Sequence, residues 1–292
     1  MGICNNRTVI ITGAGGGLGK AYAEALASEG ANVVVNDIRL DAAQAVVDAI
    51  TAQGGKALAN SGDITDMAGA QSIVDAALAA YGEVHAVVNN AGIVRDRMFL
   101  KMSAQDWDDV IRVHLRGHFC LANILANRWR DLHKEGVTVG GRIINTSSGA
   151  GLQGSVGQTN YAAAKGGVAT MTLVQAAELR RYGITANALA PAARTGMTEE
   201  VFADMMKKPD GESFDFFDPA NVAPIVVWLC SELSAECTGK VFESQGGQLS
   251  IASGWKTGPI KDKQARWEPA ELTDVVRELI ETSPQAQKVY GT

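Results

Sequence analysis

Short runs of β-favouring residues alternate with helical patterns from about residue 7 to about residue 250, and this alternation constrains the fold more than any other feature of the chain. Strands separated by helices form a parallel sheet, because each parallel pair needs a crossover and the crossover helix covers a face of the sheet. The pattern predicts seven strands, at 7–12, 32–36, 56–60, 84–89, 141–147, 184–190 and 240–245. Helices are predicted between them at 17–29, 40–53, 66–81, 104–133, 160–182 and 219–233. Val33-Val34-Val35 and Ala86-Val87-Val88 are apolar at consecutive positions, as strands covered on both faces are. The expected fold is α/β, a doubly wound parallel sheet of seven strands in a single domain over residues 1–250.

Two regions break the alternation. Residues 192–218 carry Met197, Phe202, Met205, Met206, Phe214, Phe216 and Phe217 around a Pro-Asp-Gly turn at 209–211. Placed after the carboxyl end of a strand, this segment reads as a substrate lid, the other reading being a helix that packs its Met and Phe side chains on the core. Residues 251–292 form an extension with one helical stretch near 269–282, which either wraps a partner subunit or caps the body.

Charge and cysteine usage limit the partners. The formal net charge is −6 with no basic stripe, so no nucleic acid is expected. Cys4, Cys120, Cys230 and Cys237 have neither metal-ligand nor disulfide-framework spacing, which predicts no metal and a reducing, cytoplasmic setting. No apolar run approaches the ~18 residues that span a bilayer, and the first residues lead straight into a strand without room for a signal peptide.

The first predicted strand runs into Thr12-Gly13-Ala14-Gly15-Gly16-Gly17-Leu18-Gly19, followed by a helical pattern. Glycines allow a pyrophosphate to approach the backbone, and the free N–H groups of the next helix favour its charge. The strict G-x-G-x-x-G pattern from Gly13 fails because Leu18 stands at the third glycine, whereas Thr12-Gly13-x-x-x-Gly17-x-Gly19 fits. The alternative is a turn serving only tight helix packing. Asp37 ends the second strand, where a carboxylate bonds the adenosine ribose and repels a 2′-phosphate, favouring NAD. Arg39, two residues on, is a candidate partner for the phosphate of NADP, which is the lesser expectation. Asp63, followed by Ile64 after the third strand, is placed either to accept from the adenine amino group or to cap the next helix.

Tyr161 and Lys165 lie four apart in a stretch of helix formers and so share one helix face. A tyrosine with a pKa near ~10 needs a shift of ~3 units, or about 4 kcal/mol, to exchange protons at neutral pH. A lysine ammonium one turn away in a desolvated cleft would contribute to that shift. The fifth strand ends at Ser147-Ser148, and a loop with Gly149, Gly151, Gly154 and Gly157 returns Ser148 towards Tyr161. From there its hydroxyl could hold a carbonyl oxygen.

Together the turn from Thr12 to Gly19, Asn89-Asn90-Ala91-Gly92, Ser148, Tyr161 and Lys165 resemble the short-chain dehydrogenase/reductase family, over residues 7 to about 250. The resemblance implies a Rossmann-type fold, with Tyr161 as general acid/base, Lys165 lowering its pKa and bonding the nicotinamide ribose, and Ser148 positioning the carbonyl. It implies cofactor contacts at Gly13, Gly17, Leu18, Gly19, Asp37, Asp63, Ile64, Asn90, Ala91, Gly92, Tyr161, Lys165 and Pro191, and at Thr195 near the nicotinamide amide. It also implies a homodimer or homotetramer paired through the helices at 104–133 and 160–182.

The chain departs from the family pattern at His114, where the family's fourth catalytic member is an asparagine. That histidine either anchors a water relay behind the lysine or is packed in its helix, with both protonation states open near neutral pH. Val113-His114-Leu115-Arg116-Gly117, Asn89 to Arg97 and Val227-Trp228-Leu229-Cys230 resemble the (3R)-hydroxyacyl-CoA dehydrogenase unit of peroxisomal multifunctional β-oxidation enzymes. The implied substrate is a lipophilic alcohol or acyl-CoA, with hydroxysteroids as the rival enzymatic reading and a non-catalytic nucleotide sensor as the remote one. Lys207 and Lys208 are either contacts for CoA phosphates or a solvated charge pair.

Overall fold

The computed structural model describes residues 2–196, 208–209 and 213–292. Its strands are β1 (Thr8–Thr12), β2 (Asn32–Asn36), β3 (Lys56–Asn60), β4 (Ala86–Asn89), β5 (Arg142–Thr146), β6 (Thr185–Ala192), β7 (Val241–Gln245) and β8 (Gln248–Ile251). They form one sheet in the order β3-β2-β1-β4-β5-β6-β7-β8. The seven predicted strands are all present and parallel, and the sheet has an eighth. β8 pairs antiparallel to β7 with Gln245 opposite Gln248, because Gly246, at φ +51°, opens a two-residue turn that an L side chain would strain. The expected boundary at residue 250 therefore falls inside a strand.

Helices α1 (Gly17–Ser28), α2 (Leu40–Ala52), α3 (Met67–Tyr81), α4 (Ala104–Ile111), α5 (Gly117–Lys134), α6 (Gly149–Gln153) and α7 (Thr159–Leu179) precede those at Ala223–Cys230 and Leu272–Thr282. Strand residues alternate between two cores. Val9, Ile11, Val33 and Val35 pack with Tyr22, Leu26 and Val226 on one face. Ile10, Val34 and Val87 pack with Ile73, Leu121, Leu125 and Trp129 on the other. Consecutive apolar residues in one strand thus fill both layers, which is the physical content of the unbroken Val and Ile runs. The indole N–H of Trp129 donates to the Val84 carbonyl at 2.8 Å, so this buried aromatic is also hydrogen-bonded.

The helix predicted at 104–133 is interrupted. Ser103 starts α4 with a reciprocal capping box to Asp106, but residues Arg112–Arg116 wind as a π-helical segment before α5 resumes. One extra residue per turn re-aims the side chains there, and such bulges gather at functional sites. His114 is its buried member.

The chain reverses direction across the sheet between β3 and β4, so β1 and β4 splay their following loops apart and leave a crevice at their carboxyl ends. No helix among the described residues is long and apolar enough to cross a membrane. Met197, Phe202, Met205, Met206 and Lys207 lie outside the described residues, and with them most of the expected lid. Its far end is anchored, since Arg194 pairs with Asp215 and its backbone N–H donates to the Phe217 carbonyl at 2.7 Å. Beyond Ala252 most residues are exposed, and helix Leu272–Thr282 buries none of its side chains.

Candidate active site

A cleft of about 1330 Å³ opens along the carboxyl ends of the strands. That exceeds the ~300–1,000 Å³ of a typical single-ligand site and leaves room for two molecules side by side.

At one end, α1 begins on Gly16 without any side-chain cap, so the N–H groups of its first turn are left to the cleft that Gly16, Gly17 and Leu18 line. Gly13 holds φ +61°, and a Cβ there would come within 2.7 Å of the Ala91 backbone. Thr12 and Asn90 brace this turn: the Thr12 hydroxyl accepts from the N–H groups of Asn90 and Ala91 at 2.9 and 3.0 Å, and the Asn90 amide donates to the Thr12 carbonyl at 2.9 Å. Gly13, Asn90, Ala91 and Gly92 all line the cleft. Gly19 does not. A Cβ on it would meet the Gly13 carbonyl at 2.3 Å, so this glycine lets α1 close on the turn from beneath.

Asp37, Asp63, Ile64, Pro191 and Thr195 also line the cleft. Asp37 is buried and oriented, accepting from the backbone N–H of Gly15 and of Arg39, each at 3.0 Å. The exposed Arg39 guanidinium lies 3.5 Å from the same carboxylate. Asp63 is not a helix cap: it accepts from Thr65 N–H at 2.8 Å in a tight local turn, and the cap of α3 is Asp66, which accepts from Gly69 N–H. Thr195 packs against Gly17, its methyl 3.4 Å from where a Cβ would stand. Lys208 is exposed.

At the other end, Ser148, Tyr161 and Lys165 converge as their spacing predicts. Tyr161 and Ser148 line the cleft together, and the Ser148 hydroxyl is near enough to act on the Tyr161 phenol. The Lys165 ammonium nitrogen lies 5.7 Å from the centroid of the Tyr161 ring and donates to the Thr146 carbonyl at 2.6 Å. Lys165 is buried, and the Ser147 hydroxyl donates to its backbone carbonyl at 2.9 Å. α6 packs so tightly on α7 that a Cβ at Gly151 would stand 2.7 Å from the Lys165 Cβ.

The electrostatics differ from the sequence expectation in one respect. Burial, with no carboxylate in reach among the described residues, lowers Lys165 from 10.5 to about 7, so the lysine sits at the edge of losing its charge. Burial also raises Tyr161, and the Ser148 hydroxyl only partly opposes this. The phenol depressed by a neighbouring ammonium is thus not a property of the protein alone, because desolvation outweighs every local attraction at this depth.

Burial first, then the Lys165 charge, lowers His114 to about 3, which favours the neutral ring. Its Nε2 faces both backbone groups of Ile93, 2.7 Å from the carbonyl and 3.0 Å from the N–H, and Nδ1 has no partner among the described residues. The ring stands edge-on to Tyr161 with centroids 5.1 Å apart. Gly92 makes this possible, since a Cβ there would fall 2.2 Å from the His114 ring. Gly92→Ala is therefore expected to cost about 1–3 kcal/mol of stability by overpacking. Much of that loss should return in Gly92→Ala/His114→Ala, as read from thermal melts of the wild type and both variants.

Several site residues escape the sequence reading. Thr146 contributes only its carbonyl, which no residue type announces. Asn160 donates to the carbonyls of Arg95 and Asp106 at 3.1 and 3.0 Å and so ties α7 both to the loop before α4 and to the first turn of α4. His118, buried one turn after His114, accepts from Thr146 N–H at 3.3 Å. Its spacing of four from His114 was the available signal.

A family model described as short chain dehydrogenase matches residues 7–206. The chain belongs to the short-chain dehydrogenase family. Such enzymes are oxidoreductases acting on CH–OH donors, and the family and fold imply a nicotinamide cofactor, NAD or NADP. The uncapped start of α1, the glycine turn and the ribose-side Asp37 fit that group. This short-chain dehydrogenase is 45% identical to the hydroxyacyl-CoA dehydrogenase ChsB1 of Mycobacterium tuberculosis, over 99% of its own length and 93% of the relative's. It is 40% identical to the mouse peroxisomal multifunctional enzyme type 2, over 86% of its own length and 32% of that larger protein. Among solved structures, a short chain dehydrogenase from Mycobacterium avium superposes with a TM-score of 0.92 at 51% identity, with both chains covered in full.

Proposed function

We propose that this enzyme is an NAD-dependent (3R)-hydroxyacyl-CoA dehydrogenase. The reaction is carried by one observation, the convergence of Ser148, Tyr161 and Lys165 on one wall of the cleft, with the Ser148 hydroxyl acting on the Tyr161 phenol and the Lys165 ammonium 5.7 Å from its ring centroid. The acyl-CoA substrate is supported by the likeness to ChsB1 along nearly the whole of both chains.

The glycine turn, Asp37, Asp63, Asn90 to Gly92, Pro191 and Thr195 would hold the cofactor, which supplies a hydride acceptor for oxidation or a donor for reduction. Ser148 holds the substrate oxygen. Tyr161 takes the hydroxyl proton as C3 loses its hydride, so the alcohol leaves as a ketone with both electrons and the proton accounted for. Lys165, held on Thr146, sets the charge beneath the ring. Burial favours the neutral form of His114, and we assign it a positional role: it ties the Ile93 backbone to the π-helical segment and buttresses Tyr161.

NAD is favoured because Asp37 presents an oriented carboxylate where a 2′-phosphate would sit, and Arg39 is drawn onto that carboxylate. Asp37→Ser is expected to lower kcat/KM with NAD about tenfold or more, equivalent to ~1.4 kcal/mol, and to raise it with NADP. Unchanged preference in paired assays would count against this assignment. The same family reading carries a homodimer or homotetramer, and light scattering from a monomer would exclude it.

The defining experiment is reduction of NAD by purified protein with 3-hydroxyacyl-CoAs of both configurations. Turnover confined to the R series supports the reading. No turnover of any acyl-CoA, with turnover of hydroxysteroids, overturns it.

A further inference from the structure

The substrate end of the cleft has a wall that the family motifs do not contain. After a long exposed excursion beyond β8, the chain returns at residues 289–291, and Tyr290 and Gly291 line the cleft together with Ser148, Gly149, Ser155, Val156 and Tyr161. The return is clasped by backbone. Tyr290 forms a parallel bridge with Ser155, its N–H donating to the Gly154 carbonyl at 3.2 Å and its carbonyl accepting from Val156 N–H at 2.9 Å.

Glycines on both sides let this strand-like contact close. Gly154 and Gly291 hold φ +85° and +86°, which an L side chain would strain, and Val289 and Val156 pack over them. The Tyr290 side chain then lies across Gly149, the residue next to Ser148. A Cβ on Gly149 would come within 2.5 Å of the Tyr290 hydroxyl and 3.1 Å of its ring. Tyr290 is 47% exposed, so part of it is committed to the wall and part is open to whatever enters. Glu243, which lines the same end, is near enough for its charge to act on the phenol.

We propose that Tyr290 is a specificity-determining residue whose ring, clasped over Gly149 by the Gly154–Val156 backbone, limits the bulk of the substrate portion next to the reacting carbon. This rests on the dehydrogenase reading above. It assigns Tyr290 no proton transfer, since Tyr161, with Ser148 and Lys165 beside it, already supplies the group that the chemistry needs. The clasp consists of two backbone hydrogen bonds and a few side-chain contacts, so removing the ring leaves the sheet and its cores untouched.

The test uses Tyr290→Ala and Tyr290→Phe in the full chain with two graded series: R-3-hydroxyacyl-CoAs from short linear to branched and ring-bearing acyl groups, and free secondary alcohols of increasing bulk. In Tyr290→Ala, kcat/KM for the bulkiest substrate relative to the smallest is expected to rise at least about tenfold. The change should appear mainly in KM, as lost or gained wall contacts affect bound substrate and transition state alike. Tyr290→Phe, which keeps the ring, should retain the wild-type ratio. Stabilisation by NAD in thermal melts should match the wild type in both variants, because the cofactor end lies across the cleft.

A ratio within about twofold of wild type in Tyr290→Ala overturns the proposal. So does a uniform fall in kcat across all substrates accompanied by a lower melting temperature, which would mark the tail as a structural strap. Inactivity towards every acyl-CoA with activity on the alcohols overturns the acyl-CoA reading, and the Tyr290 comparison then stands or falls on the alcohol series.

Discussion

Tyr161→Phe is expected to lower kcat/KM by about three orders of magnitude, within the ~10²–10⁴ that a positioned general acid or base contributes. Binding should survive, because the phenol ring and its contact with His114 remain. NAD should therefore raise the melting temperature of the variant as it does that of the wild type. Losing the hydroxyl removes only its interaction with the neighbouring Ser148 hydroxyl, so the melting temperature should change little. The pH dependence has a definite sign. Burial raises the phenol above its ordinary value, so the proton-accepting form is scarce at neutral pH and grows as pH rises. Alcohol oxidation by the wild type should climb with pH on the alkaline side, and ketone reduction should decline. In Tyr161→Phe both trends should vanish; if they persist, another group carries the proton.

Lys165→Met is expected to abolish most activity and yet stabilise the free protein. A buried lysine lowered from 10.5 to about 7 is a cost to folding, since the unfolded chain binds a proton that the folded one resists. The cost is complete below pH 7 and is relieved between pH 7 and pH 10.5, the folded and unfolded values. At about 1.4 kcal/mol per unit the ceiling is roughly 5 kcal/mol, from which the lost bond to Thr146 subtracts about 1–2. The remainder corresponds to a rise of several degrees at roughly 2–4 °C per kcal/mol. Melts without cofactor at pH 6.5 should show the variant about 3 °C or more above wild type, and at pH 9.5 the gap should narrow. A variant that melts lower at pH 6.5 would mean that the lysine is held charged by something stronger than the Thr146 carbonyl.

Much of this site was legible in the sequence because its groups come from local patterns. A glycine turn after a strand, an acid at the end of the next strand and a pair four apart on a helix each carry their geometry with them. Ser148 followed from the strand end and the glycine loop that returns it. What stayed hidden depends on contacts between distant segments or on depth. β8 was masked because Gln248–Ile251 alternates weakly in a polar stretch, and its pairing rests on the Gly246 turn. The π-helical segment is invisible to a helical period, since one inserted residue barely alters the pattern over 104–133. Asp63 was read as a possible cap when Asp66, three residues on, has the position. The place of Gly19 against the Gly13 carbonyl was hidden because spacing cannot tell the upper side of a turn from its underside. The charge state of Lys165 depends on burial, which no spacing encodes, and Tyr290 reaches the site only through the return of the tail.

The carbonyl that holds Lys165 belongs to Thr146, the last residue of β5, whose neighbour in the sheet is Leu189 of β6. Ser147 extends that linkage, its N–H donating to the Leu189 carbonyl and its hydroxyl donating to the backbone of Lys165. The ammonium is thus fastened to the middle of the sheet without any dedicated side-chain partner. In a mutational scan, conservative changes at Ile143, Ile144 or Leu189 should register as lost turnover at temperatures where the protein is still folded. Catalytic rate would then be a more sensitive gauge of strand alignment in this protein than its melting curve.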